Sequence, residues 1–312
     1  MRITAAVVGL ALLAGACTDG GEPAATSIPP STAATTSPAT TGAVTTGPVT
    51  TNPVTTSAVG LPDLVPPIEG DRIPVTVETV TDGDSLVVAT PNGTEEVRLE
   101  GINAPEARDE CFGDRAREAL VALLRDADVA LVRVGTDQFG RTRGYLIADD
   151  ALVNLAQVVG GSAIATSFAH QALESFLAAE EEAFSRGRGL WAADACGPPT
   201  EARVAVARIE EDPPGPDGDR LVDEWVRLVN DGDGVDIGGW TLRDESSTHR
   251  YTFEPDTIVP ADGGIVVRTG CGTDTAAELH WCAAGPVWSN GGDMALLLDR
   301  SGNVVDRYRY GG

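Results

Sequence analysis

The chain has 312 residues, more than one ordinary domain of about 100 to 200, and its 22 basic residues, all Arg, face 47 acidic ones. The formal charge of −25 excludes a protein that holds nucleic acid through a broad basic face, so any nucleic-acid chemistry must be local. Apolar residues make up 42%, enough for real cores, while the longest apolar run, Ile3 to Ala16, is shorter than the about 20 residues a bilayer span needs.

Residues 1–17 read as an export signal: Arg2, the apolar run, and the small residues Ala14-Gly15-Ala16 before Cys17. The end of this segment resembles a bacterial lipobox, which implies lipidation of Cys17. Plain secretion and a coincidental Cys in a signal peptide are the other readings, and all three export the protein. Residues 18–72 form a Thr/Pro/Ala-rich tether, too poor in charge and aromatics to bury surface that offsets its ordering entropy. Five pentads run through it from Thr35 to Val59, and the Pro in three of them suits an extended spacer.

Two globular domains are expected after the tether, 73–196 and 203–312, joined by a hinge at 197–202 that begins Gly-Pro-Pro. Residues 71–196 hold 11 Arg against 22 acids and residues 197–312 hold 10 against 21, so each domain repels a polyanion equally.

In the first domain, alternation predicts a strand over Val75 to Val80, Ser85 to Thr90 is a second strand, and Pro91-Asn92-Gly93 is a hairpin turn leading into Glu95 to Leu99. Asp114 is expected to cap a helix to about Arg125, with an apolar face of Leu120, Val121, Leu123 and Leu124. Strands at Val129 to Val134 and Arg143 to Ile147 flank the loop Thr136 to Arg141. Helices are expected over Ala151 to Val159 and about Gln171 to Arg186. This order suits an α+β fold, an OB-type five-stranded barrel with about three helices.

Four segments in register carry a resemblance: Thr81-Asp82-Gly83-Asp84-Ser85, Val97-Arg98-Leu99-Glu100-Gly101-Ile102-Asn103-Ala104-Pro105-Glu106, Asp137-Gln138-Phe139-Gly140-Arg141 and Gly189-Leu190-Trp191. Over about residues 74 to 195 the chain resembles the staphylococcal nuclease (thermonuclease) family. The resemblance implies a Ca²⁺-dependent endonuclease on DNA and/or RNA that leaves 3'-phosphates. Glu106 is then the general base, and Arg98 and Arg141 grip the phosphate with planar forks. Asp84, the Asn103 side chain and the Ala104 backbone carbonyl become Ca²⁺ ligands, with Asp82 an outer-shell carboxylate. Read singly, Asp82-Gly83-Asp84 is a hairpin turn, Arg98 an ion pair with Glu96 or Glu100, and Glu106 a solvated loop carboxylate. The sequence departs from the family at Asn103, where the pattern has Asp, and at Phe139, where it commonly has Tyr. The missing ligand charge is expected to weaken Ca²⁺ binding.

From Val204 short strands alternate with Asp, Gly and Pro turns. Glu224 to Asn230, Val235 to Asp244, Val287 to Asn290 and Gly292 to Asp299 resemble the lamin tail domain over about 203 to 310. That resemblance implies an all-β immunoglobulin-like sandwich. Trp225, Trp240 and Trp288 are expected in its core. The four cysteines other than Cys17 are expected to pair as Cys111 with Cys196 and Cys271 with Cys282, one of three connectivities.

The leading expectation is a nuclease, lipid-anchored on the outer face of the cell membrane or secreted. Its membrane contact is through the anchor alone, its partners are a DNA or RNA substrate and an unknown ligand of the second domain, and the protein is a monomer. The competing expectation is a catalytically weak binding or scaffolding lipoprotein that uses the barrel groove and the second domain.

Overall fold

Five strands, of which the first alternates exposed and partly buried residues and the last is buried over its second half, close a small barrel. In this computed structural model, which describes residues 67–216, 218–246 and 248–311, those strands are β1 (Ile73–Val80), β2 (Ser85–Thr90), β3 (Gly93–Leu99), β5 (Val129–Thr136) and β6 (Thr142–Ala148). The short strands β4 (Ile102–Asn103), β7 (Ala151–Leu152) and β8 (Ile164–Ala165) complete the domain. The sheet runs β3-β2-β1-β5-β6-β7, and a parallel pairing of β3 with β6 closes it. The signal segment, Cys17 and the tether as far as residue 66 lie outside the described residues. No helix among the described residues is long and apolar enough to cross a membrane.

Three helices buttress the barrel: α1 (Gly113–Leu124), α2 (Val153–Val159) and α3 (Leu173–Ser185). They bury Leu120, Leu155 and Phe176 against Leu86, Val97, Leu99, Leu131 and Leu146. The face of α1 differs from the expected one. Gly113, Ala116, Leu120 and Leu124 are buried, whereas Leu123 is 37% exposed. The buried positions follow 3- and 4-residue steps, and Leu123 lies at the margin of that stripe. Asp114 also sits in the first turn instead of capping, because Phe112 occupies the N-cap with a φ of 70° and no side-chain cap bond. Asn154 of α2 ties the closing seam: its Nδ2 donates to the Glu100 and Gly144 carbonyls, and its Oδ1 accepts from Leu146 N.

Among the described residues the second domain has ten strands: β9 (Val204–Glu210), β10 (Trp225–Asn230), β11 (Val235–Asp236), β12 (Thr241–Arg243), β13 (Arg250–Thr252), β14 (Ile258–Val259), β15 (Gly263–Arg268), β16 (Glu278–His280), β17 (Gly292–Leu298) and β18 (Val304–Gly311). Two four-stranded sheets, β16-β15-β10-β9 and β13-β12-β17-β18, enclose Leu228, Ile237, Trp240, Leu242, Phe253 and Trp288. This is the expected sandwich, with β11 and β14 as a separate pair. Trp225 departs from expectation. It is half-buried, with the Arg208 guanidinium 5.5 Å from its ring centre.

Disulfides join Cys111 to Cys196 and Cys271 to Cys282. The described residues fall in one compact unit, and the two domains share a third apolar cluster of Ile164, Ala183, Leu190, Trp191, Met294 and Leu296. The segment read as a hinge is tied at its start. Asn303 accepts from Cys196 N at 2.7 Å and donates to the Gly197 and Pro198 carbonyls.

Candidate nuclease site

The turn before β2 and the strand opposite it bring the first acidic and basic residues together. Thr81 N and Asp82 N both donate to the Ser85 carbonyl, and the β2–β3 register sets Arg98 opposite Ser85. A glycine is required between the two aspartates. A Cβ at Gly83 would lie 2.6 Å from the Ala104 Cβ and 2.7 Å from the Ala116 Cβ. Close packing of this turn on the Asn103-Ala104 loop puts Asp84 next to it: Ala104 N donates to Asp84 Oδ2 at 2.6 Å. A second close approach sets the Glu106 loop, since a Cβ at Gly113 would strike the Glu106 carbonyl.

Arg98 bridges two oxygens. Its Nη1 donates to Asp84 Oδ1 and its Nη2 to Asn103 Oδ1. It pairs with neither Glu96 nor Glu100, and the latter is held by Arg143. Asp84 is fully buried, which pushes its pKa up against the opposing pull of Arg98, Ala104 N and Ser85. Burial, followed by a hydrogen bond with Glu106, pushes Asp82 up to about 7. Ionised carboxylates only accept, so that bond needs one proton between the two carboxyl groups. Arg141 closes the loop after β5 by donating from its main-chain N to Asp137 Oδ1 and from Nε to Asp137 Oδ2.

Arg98, Asn103, Arg141, Arg143 and the exposed Phe139 and Phe168 line a groove of about 460 Å³. Asp82, Asp84 and Glu106 are not among the residues that line it, and Arg98 links the groove to Asp84. The donor set is all oxygen: one carboxylate, one amide and the Ala104 carbonyl. Among the described residues no group of three or more His, Cys, Asp or Glu could hold a metal by itself. Two of these oxygens already converge on a cation, the Arg98 guanidinium. These are oxygen donors of the kind a hard divalent ion takes, and here Asp84 Oδ1 and Asn103 Oδ1 are satisfied by Arg98.

Residues 96–193 match the family model of staphylococcal nuclease homologues, and residues 198–312 match that of the lamin tail domain. A protein of Escherichia coli named ParB is 35% identical over 125 residues, which are 37% of this chain and 70% of that protein. The chain belongs to the staphylococcal nuclease family. An uncharacterized endonuclease of Haemophilus influenzae is 35% identical over 118 residues, 37% of this chain, and the chain spans 65% of that relative's length. A micrococcal nuclease of Shigella flexneri is 38% identical over 72 residues, 23% of this chain and 41% of its own.

What sequence reasoning missed is how far the lamin tail domain reaches into the staphylococcal nuclease site. Arg243, 5% exposed, lies 3.3 Å from Glu110 Oε1, and Arg250 pairs with the same carboxylate. Glu110 Oε2 in turn accepts from Glu106 N at 2.7 Å. Both guanidiniums feel the Glu106 charge, which favours their ionised form against burial. Glu245 lines the groove itself, accepting from Ser167 N and Ser167 Oγ at 2.7 Å each and from Arg309 Nη1 at 3.2 Å. The contacts of Ser167 with Glu245 and of Glu110 with Arg243 join residues 78 and 133 apart in sequence and leave no local pattern to read.

Asp293 supports Glu245 from below by accepting from its main-chain N. Burial, then the charges of Glu245 and Asp244, push Asp293 up to about 7 from 3.8. The folded state therefore holds a proton that the unfolded state releases first. This contribution is full below about pH 4 and is lost as pH rises towards 7. Asp293→Asn is expected to flatten that part of the stability profile, as read by urea unfolding at several pH values between 4 and 7. A profile of unchanged slope would assign the titration elsewhere.

Proposed function

We propose that this chain is a metal-dependent phosphodiester hydrolase acting on DNA or RNA, with the groove between Arg98 and Arg141 as its substrate site. The observation that carries the reading is the placement of Arg98. It lines the groove while its two terminal nitrogens donate to Asp84 Oδ1 and Asn103 Oδ1. The named relatives support it, as does the family match.

In this reading Glu106 removes a proton from the attacking water, Asp82 keeps the shared proton, and Arg98 and Arg141 hold the phosphate and balance the charge gained in the transition state. Asp84, Asn103 and the Ala104 carbonyl would hold Ca²⁺, with Asp82 outside the first ligands. When bound, that ion supplies a Lewis acid for a phosphoryl oxygen. Endonucleolytic cleavage to 3'-phosphates and export, with Cys17 as a lipid anchor, complete the proposal.

A specific observation favours the competing reading of a catalytically weak binding protein: Arg98 and Arg141 are both paired to carboxylates of the chain itself. Cleavage of single-stranded DNA at millimolar Ca²⁺, with and without chelator, separates the two. Arg141→Lys is expected to lower kcat/KM by roughly 10- to 100-fold, the worth of one charge-assisted hydrogen bond at about 1.5–3 kcal/mol. Arg133→Lys, whose parent arginine is engaged with Glu95 on the barrel wall, is expected to stay within about twofold of wild type. A wild type with no chelator-sensitive cleavage would hand the case to the binding protein.

A further inference from the structure

Asn103 occupies a position that only an amide satisfies. Its Oδ1 accepts from Arg98, which can only donate. Its Nδ2 donates, at 2.9 Å, to the Glu245 main-chain carbonyl, which can only accept. The residue is 4% exposed, so water is a poor substitute for either partner. An aspartate would satisfy Arg98 but set a carboxylate oxygen against a carbonyl oxygen, two acceptors in a site with little solvent. The structure thus gives a reason for Asn at the place where the family pattern has Asp, and the reason lies in the second domain.

The Glu245 carbonyl is held in place from several sides. Its own N donates to Asp293 Oδ1 at 3.2 Å, and its carboxylate takes the Ser167 and Arg309 bonds described above. Arg309 is fixed in turn by Glu180 Oε2 at 2.7 Å and the Ala165 carbonyl at 2.8 Å. Ala165 and Ile164 form β8, which pairs with Ile102 and Asn103 of β4. The chain of contacts therefore closes on itself: Asn103, β8, Ser167, Glu245, and back to Asn103.

We infer that the lamin tail domain is a working wall of the groove, in which the Glu245 main-chain carbonyl positions Asn103 so that its Oδ1 faces the cation position. The interlock of Asn103 with Glu245 stands on the contacts alone. Its use in cation binding rests on the nuclease reading.

The test uses the full chain. In metal-free protein, amide hydrogen exchange at Ser167 and Glu245 reports whether the wall stays seated, because Ser167 N is bonded to the Glu245 carboxylate and Glu245 N to Asp293. Asn103→Asp is expected to speed both amides about tenfold, since it trades a satisfied donor for a buried acceptor facing an acceptor. Unchanged exchange at both amides would overturn the interlock. Should that variant fail to fold by circular dichroism, Asn103→Ala removes the donor without adding charge and is expected to speed the same amides, whereas wild-type rates would again overturn it.

The positioning role needs its own readout, taken as Ca²⁺ affinity by calorimetry without substrate. Glu245→Ala, which keeps the carbonyl but frees it from Ser167 and Arg309, is expected to weaken Ca²⁺ binding about tenfold, an effect of one hydrogen bond to a charged group. Glu245→Gln, whose one accepting oxygen can still take Ser167 Oγ and Arg309 but whose NH2 then faces Ser167 N, is expected to restore part of that loss. Equal affinity in wild type and Glu245→Ala would overturn the positioning role. A wild type that binds no Ca²⁺ would remove the nuclease reading's cation and the positioning role with it, while the metal-free exchange result would still decide the interlock.

Discussion

Glu106→Gln is expected to lower kcat by roughly 10² to 10⁴ while KM changes little, because positioned proton transfer contributes that much and only to the transition state. The glutamine keeps the shape of the side chain and can still bond Asp82, so the loop should survive. That loop is further held by the bonds from Glu106 N to Glu110 and from Ala107 N to Asp82 Oδ1. What the variant lacks is an oxygen able to take a proton from water. The contact between Asp82 and Glu106 raises a rival assignment, in which Asp82 is the base. Asp82→Asn distinguishes them. With Glu106 as base, the asparagine can still donate across the pair, and the loss is expected to be smaller than in Glu106→Gln. Steady-state kinetics on both variants, after circular dichroism confirms folding, decides the matter. A Glu106→Gln protein with wild-type turnover would end the assignment of Glu106.

The barrel was legible because its first strand alternates and its turns carry their own chemistry. The expected strand at Ser85 to Thr90 is the observed β2, and other strands shift at their ends by two or fewer residues. The start of α1 was not legible, since Phe112 enters the N-cap with a positive φ that no capping side chain announces. Asp84, Arg98 and Asn103 were found through the resemblance of their motifs to the staphylococcal nuclease family, and the β2–β3 register together with the loop after β3 brings them into contact. Arg243, Arg250 and Glu245 were not. They belong to a domain whose own pattern explains them as strand and turn residues, and their partners lie across a domain boundary. The shortfall at Asn103 has the same physical origin. Read along the chain, it is a ligand that lacks a charge, and read in space, it is a donor matched to a carbonyl 142 residues away.

Arg98→Ala is expected to damage stability as well as activity, and the stability loss should depend on pH. Asp84 is fully buried and Arg98 is the foremost group opposing the upward push of burial on its pKa. Removing one partner of a buried pair typically costs about 3–5 kcal/mol, because the other charge is left without compensation. Asp84 can escape that cost by taking up a proton, which raises its folded-state pKa further above its unfolded value of 3.8. A group raised in this way stabilises at low pH and loses that contribution as pH rises. The deficit of Arg98→Ala relative to wild type should therefore be small near pH 4 and grow towards pH 8. Arg98→Lys should recover part of the stability, since one ammonium neutralises Asp84, but a point charge replaces the planar fork that spans Asp84 and Asn103. Its activity should stay low while its pH dependence returns towards wild type. Urea unfolding of the three proteins at pH 5 and pH 8 gives the comparison. An Arg98→Ala deficit of equal size at both would mean that Asp84 is not the group left uncompensated.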